Sequence, residues 1–222
     1  MCSLDIGPAP QNQARSNFLA VGFSDHTTRI FDLSPGADLK KLSIQTFPCS
    51  VESVCIIEMK NEDNIENVPA SQLYLYVGLS SGILMRATID NITGKLADSR
   101  SRFLGLKPVK CIRTNVLGKA GLLALSSRPW LIYNYMDKYT TSLLSCPGLD
   151  HAAPLCIPSC QNGLVGLSDS FMRIMNIQTF GDLFHSDSIP LDYSPRKMVV
   201  CDKKLVILEY DQRTFSEEEA AH

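Results

Sequence analysis

Gly166-Leu167-Ser168-Asp169 is a clear copy of a phrase that also stands at Gly22-Phe23-Ser24-Asp25, Gly78-Leu79-Ser80-Ser81 and Ala124-Leu125-Ser126-Ser127. The steps between copies are 56, 46 and 42 residues, and a further 42 reaches Leu208-Glu209-Tyr210-Asp211, a degenerate fifth copy. An apolar run precedes each copy and another follows it, as Phe18 to Val21 and Thr28 to Leu33 do for the first, and Leu73 to Val77 and Ile83 to Ile89 for the second. Apolar run, small polar turn, apolar run is the sequence form of a β-hairpin. A hairpin returning at this interval predicts a β-propeller, whose four-stranded blades take roughly 40–50 residues each.

Working outward, 39–47 reads as a further strand of the first blade, and Val51 to Met59 as a buried strand opening the second. Residues 60–71 carry charges, asparagines and Pro69 and read as a solvated loop. Asp90 to Lys95 is a turn and Leu96 to Gly105 a strand; Pro108 to Arg113 opens the third blade, whose hairpin covers 120–136. Leu155 to Pro158 and Gly163 to Leu167 feed a fourth hairpin running to Ile177, and Met198 to Cys201 and Leu205 to Glu209 are strands. Residues 1–16 read as an irregular lead-in, 17–200 as propeller blades, and the acidic tail 216–222 as disordered. No window of helical period survives its Gly, Pro and β-branched residues. The fold class is therefore all-β: a partial, WD40-like propeller of about four to five blades, more an arc of a larger ring than a closed small one.

Composition narrows function. Hydrophobic residues are 45% of the chain, charged residues 20%, and the formal net charge is -2, so the chain as a whole is no electrostatic match for nucleic acid. No apolar stretch is long enough for a membrane helix, and the N-terminus has no secretory pattern. The eight cysteines include Cys55, Cys111 and Cys201 in apolar strand contexts, which predicts free thiols in a reducing compartment. Cys156 and Cys160 have no second pair at zinc-ligand spacing. No metal, cofactor or small-molecule substrate is expected.

Candidate chemistry is sparse. His26 falls in a hairpin turn, His151 and His185 in loops, and His222 at the end; none joins a nucleophile motif. Asp25 and Asp169 share a repeat position, which suggests paired carboxylates, but an aspartate accepting backbone N–H bonds in a turn is the simpler account. Between Asp98 and Asp137 there is no acidic residue, while Arg100, Arg102, Lys107, Lys110, Arg113, Lys119 and Arg128 all fall there, with Trp130 and Tyr133 following. Such a patch suits an acidic protein partner or RNA, the aromatics stacking bases. Strand alternation would instead divide it over two solvated faces.

Several stretches resemble one superfamily: Phe18-Leu19-Ala20-Val21-Gly22, Glu52 to Met59, Leu73-Tyr74-Leu75 with Val77-Gly78-Leu79, Thr93 to Arg100, Phe103-Leu104-Gly105, Ser126 to Leu131 and Tyr193 to Lys197. The chain is similar to the large three-propeller proteins that include splicing factor 3B subunit 3, the damaged-DNA-binding protein large subunit and the cleavage and polyadenylation specificity factor large subunit. Glu52 to Met59 favours the splicing branch; Pro129 after Ser-Ser-Arg looks more like the damaged-DNA-binding branch. The resemblance implies later blades of a middle propeller, with 201–215 a strand leading toward a following propeller of a longer protein. It further implies a non-enzymatic scaffold of the splicing factor 3B complex in the nuclear U2 snRNP, acting in mRNA processing at branch-site recognition. Its partners would be the HEAT-repeat subunit and small subunits, with RNA contact mostly indirect. The alternative is an adaptor of a cullin ubiquitin ligase or DNA-repair complex. A third class, an enzyme using the central channel, needs titratable residues on inner strands, and Val54 to Ile57 and Val109 to Ile112 are apolar.

Overall fold

The computed structural model describes residues 3–10, 14–60, 71–135, 138–158, 160–168, 171–177, 193–201 and 204–210. The chain divides into two units, Met1–Leu183 and Phe184–His222. Every strand pairing is antiparallel, and no helix occurs among the described residues.

In the first unit each sheet is a meander whose neighbours in sequence are neighbours in space. Blade 1 is β1 (Ser3–Ile6), β2 (Phe18–Gly22), β3 (Thr27–Asp32) and β4 (Lys41–Thr46). Blade 2 is β5 (Val51–Lys60), β6 (Ser71–Leu79), β7 (Ile83–Ile89) and β8 (Leu96–Phe103). Blade 3 is β9 (Lys110–Val116), β10 (Lys119–Leu125), β11 (Pro129–Tyr135) and β12 (Lys138–Leu143). Blade 4 has, among the described residues, three strands, β13 (His151–Ile157), β14 (Cys160–Ser168) and β15 (Phe171–Asn176). Among its described residues the second unit holds a hairpin, β16 (Ser194–Cys201) with β17 (Lys204–Tyr210). The partial propeller read from the sequence is the observed architecture.

The recurring phrase begins in the last residues of the second strand of each of the four blades, and in the first three it runs on into the turn toward the third strand. Its fifth position needs a left-handed backbone in blades 1 and 2, filled by His26 (φ 64) and Gly82 (φ 80). The first position needs the absence of a side chain. A Cβ on Gly22 would stand 2.6 Å from Val51 Cγ1, and one on Gly78 2.1 Å from the Val109 carbonyl oxygen. Val51 and Val109 are where the chain enters the following blade, so these two glycines set how closely successive blades approach.

The long apolar runs follow from burial on both faces. In β5, Val54 and Ile56 join a core with Phe18, Ala20 and Ile30 of blade 1, while Cys55, Ile57 and Met59 join another with Leu122, Ala124 and Ile132 of blade 3. In β10, Leu122 and Ala124 face blade 2, and Leu123 and Leu125 face Leu149 and Leu164 toward blade 4. Period-2 alternation thus feeds two cores rather than one core and solvent.

Two expectations need correction. Ser3–Ile6, assigned to an irregular lead-in, forms β1 and pairs with β2 from Ser3↔Gly22 to Ile6↔Leu19. Its polarity is reversed: Leu4 and Ile6 are each 51% exposed, whereas Ser3 and Asp5 turn toward β5 and accept its N–H groups. Four residues with the polar side inward do not read as a strand. His151, placed in a loop, opens β13 opposite Leu167, because β14 offers it an edge. Most of the loop expected at 60–71, and the tail at 216–222, lie outside the described residues.

Candidate functional site

The first strands β1, β5, β9 and β13 stand side by side in order. They are not joined as one sheet, and side chains bridge them instead. The Val54 N–H donates to Ser3 Oγ (3.1 Å) and the Ile56 N–H to Asp5 Oδ2 (2.7 Å). Ser53 Oγ donates to the Val109 carbonyl (2.8 Å) and accepts the Cys111 N–H (2.9 Å). Lys110 Nζ donates to the Asp150 carbonyl (3.0 Å), carrying the series into blade 4. Short polar side chains thereby satisfy edge groups that a ladder would otherwise satisfy. This apparatus holds blades together and has the chemistry of a joint.

The seven cations of the basic stretch fall at separate places. Arg100 and Arg102 are on β8, the last strand of blade 2; Arg100 Nε lies 3.1 Å from Asp98, and the Arg102 guanidinium 5.2 Å from the Trp130 ring centre. Lys107 and Lys110 turn toward Asp150, Lys107 Nζ at 3.5 Å from its carboxylate. Arg113 turns the opposite way: its Nη2 donates to Asp5 Oδ2 (2.7 Å), the Ile6 carbonyl (2.9 Å) and the Ile56 carbonyl (2.9 Å). Lys119 Nζ is 5.2 Å from the Tyr135 ring centre, and Arg128 is exposed in the β10–β11 turn. Lys110 and Arg113, three apart on β9, therefore address blade 4 and blades 1 and 2 respectively.

The aromatic half of the nucleic-acid reading also changes. Tyr133 is 3% exposed, its hydroxyl 3.2 Å from Ser142 Oγ, so its ring is unavailable to a base. Trp130 donates Nε1–H to the Leu104 carbonyl (3.2 Å) beside Arg102.

Cavities open between blades 2 and 3. One, about 350 Å³, is lined by Pro8, Glu58, Lys60, Arg113, Lys119 and Asn134. Another, about 180 Å³, lies near the last strands and includes Arg86, Arg100, Arg102 and Tyr139. Arg86 fell outside the acid-free window, so counting charges missed it. The available signal was a lone charge inside the apolar run Ile83 to Ile89.

Asp25 acts as a turn residue. Its Oδ1 accepts the Thr27 N–H (3.0 Å) and the Thr27 hydroxyl, and its Oδ2 pairs with Arg29 Nη2 at 2.7 Å. The Thr27 hydroxyl foremost holds this carboxyl below the usual aspartate range. Asp169 lies outside the described residues. Cys49, Cys55, Cys111, Cys146, Cys156 and Cys160 are free thiols. Burial pushes the Cys55 thiol far up and the Cys111 thiol up to about 12, the signature of packing side chains rather than nucleophiles.

Residues 1–177 match the model of the RSE1/DDB1/CPSF1 second beta-propeller. The chain is 42% identical to Spliceosome-associated protein 130 A of Arabidopsis thaliana over 97% of its own length. It is 37% identical to Splicing factor 3B subunit 3 of Danio rerio and 36% identical to Pre-mRNA-splicing factor RSE1 of Mycosarcoma maydis, each over 96% of its own length. It spans about 18% of the length of each of these curated relatives.

Proposed function

The chain belongs to the RSE1/DDB1/CPSF1 second beta-propeller family, and from that membership we propose that it acts as a non-enzymatic scaffold in pre-mRNA splicing. The observation that carries this is the similarity, along almost the whole chain, to relatives whose names are those of splicing factors. On this reading the chain belongs to the splicing factor 3B complex of the U2 snRNP in the nucleus. Its work there is architectural: blades packed on both faces make a rigid body that presents loops and strand edges to other proteins. The partners are the HEAT-repeat subunit and the small subunits, and RNA is reached mainly through them. Titratable groups at the first strands support the same reading, because Asp5 and Arg113 are occupied by each other and by backbone groups.

The test is recovery of the endogenous protein from nuclear extract, followed by probing for U2 snRNA, the HEAT-repeat subunit and a cullin. Co-recovery of U2 snRNA and the HEAT-repeat subunit is expected. A cullin without U2 snRNA would overturn the proposal.

A further inference from the structure

Strand register places four side chains of blade 2 on one face. Leu84 pairs with Arg102 and Arg86 with Arg100 across β7 and β8, and directly opposed residues share a face. That face meets blade 3, where Ile132 and Tyr139 stand opposite. Leu84 and Ile132 are buried and form the floor of the 180 Å³ cleft. Three guanidinium groups surround it, and Asp98 supplies a carboxylate that pairs with two of them, 3.1 Å from Arg100 Nε and 3.8 Å from Arg86 Nη2. The cleft keeps an excess of positive charge.

Arg86 is the telling group. Its side chain is only 11% exposed, and its Nε is buried without a hydrogen-bond partner. That buried Nε is closed to an incoming group; what the cleft offers is three guanidinium groups around one opening, each shaped to meet a carboxylate with paired hydrogen bonds. We propose that this cleft is the docking site for an acidic, extended segment of a protein partner, one of whose carboxylates seats among Arg86, Arg100 and Arg102.

Three observations favour a protein segment over RNA or a small molecule. The rings that would stack bases already carry guanidinium groups, Arg86 over Tyr139 at 4.0 Å and Arg102 over Trp130 at 5.2 Å. The cleft is smaller than the roughly 300–1,000 Å³ usual for ligand pockets, and it suits a side chain. Among the described residues β8 is the end strand of its sheet and largely exposed, so its edge can pair with an incoming extended backbone. The inference goes beyond the splicing reading and does not depend on it.

The experiment titrates the full chain into a fluorescein-labelled oligoglutamate peptide and follows polarisation, with oligoglutamine and oligouridylate RNA as comparison probes. Saturable binding of oligoglutamate is expected, weakening as salt rises. Arg86→Gln and Arg102→Gln should each weaken it about tenfold, while Lys41→Gln, on the exposed β4 of blade 1, should leave it unchanged. Arg100→Gln and Arg102→Gln alter exposed side chains, so they keep the test valid if Arg86→Gln fails the circular-dichroism check of folding. Absence of oligoglutamate binding, equal loss with Lys41→Gln, or unchanged binding in the folded arginine variants would overturn the proposal. So would preferential binding of oligouridylate that the same substitutions abolish.

Discussion

Replacing Ser53 by alanine tests the claim that side chains, and not a continuous ladder, join the first strands. Ser53 Oγ serves two backbone groups at the entry of β9 at once, donating to the carbonyl of Val109, just before the strand, at 2.8 Å and accepting the Cys111 N–H, within it, at 2.9 Å. The change Ser53→Ala removes a single oxygen, creates no overlap and leaves both groups without that partner. A deeply buried unmet group costs about 1–3 kcal/mol. Ser53 is half-buried, so water offsets part of the loss, and about 1 kcal/mol for each group, about 2 kcal/mol in all, is the expected destabilisation. In urea, at a slope of about 2.5 kcal/mol/M, that lowers the midpoint by roughly 0.8 M. The same variant should expose the Cys111 amide to faster hydrogen exchange, because its acceptor is gone. An unchanged midpoint together with unchanged protection of the Cys111 amide would refute the reasoning and assign the blade joint to apolar packing alone.

Further outcomes follow from the same geometry. Gly78→Ala places a Cβ 2.1 Å from a backbone oxygen that cannot rotate away, so a loss of about 3 kcal/mol or more is expected in thermal or urea unfolding. Gly36→Ala, where a Cβ meets nothing within 4 Å but φ is +84, should cost only about 1–2 kcal/mol. Iodoacetamide at mildly alkaline pH should label exposed Cys156 in the native chain and spare Cys55 and Cys111, as mass spectrometry of tryptic peptides would report. The Asp25 carboxyl should titrate below the ordinary aspartate value of 3.8 in an NMR pH series. Its carboxylate therefore favours the folded turn at neutral pH, and that contribution disappears as pH falls through the lowered value. Asp25→Asn should remove this acid-side dependence.

The cation cluster shows where sequence patterning loses information. Seven positive charges between Arg100 and Arg128 look continuous along the chain. Lys110 and Arg113 diverge because the parity of a strand position decides which neighbouring blade it faces. Arg86 joins Arg100 and Arg102 only through the β7–β8 register, which links residues 14 and 16 positions away along the chain. Ser3 and Asp5 could not be read as joint residues, because their partners Val54 and Ile56 lie 51 residues away on a strand with which they form no ladder.

The amino-acid sequence by itself determined the hairpin repeat, the all-β class and the family, since these rest on local information: turn chemistry, apolar alternation and spacing. Gly22 and Gly78 already mark the turn, and Val54 to Ile57 already mark a strand buried on both faces. Tertiary structure alone decided what those glycines are for, which is the close entry of Val51 and Val109. It also decided that Ser53 and Asp5 bridge first strands and that Arg86 lies against an open cleft. The physical reason is that each of these is a contact between blades, set by how sheets stack. Stacking depends on shapes that meet in space, and the order of residues along any one blade does not encode it locally.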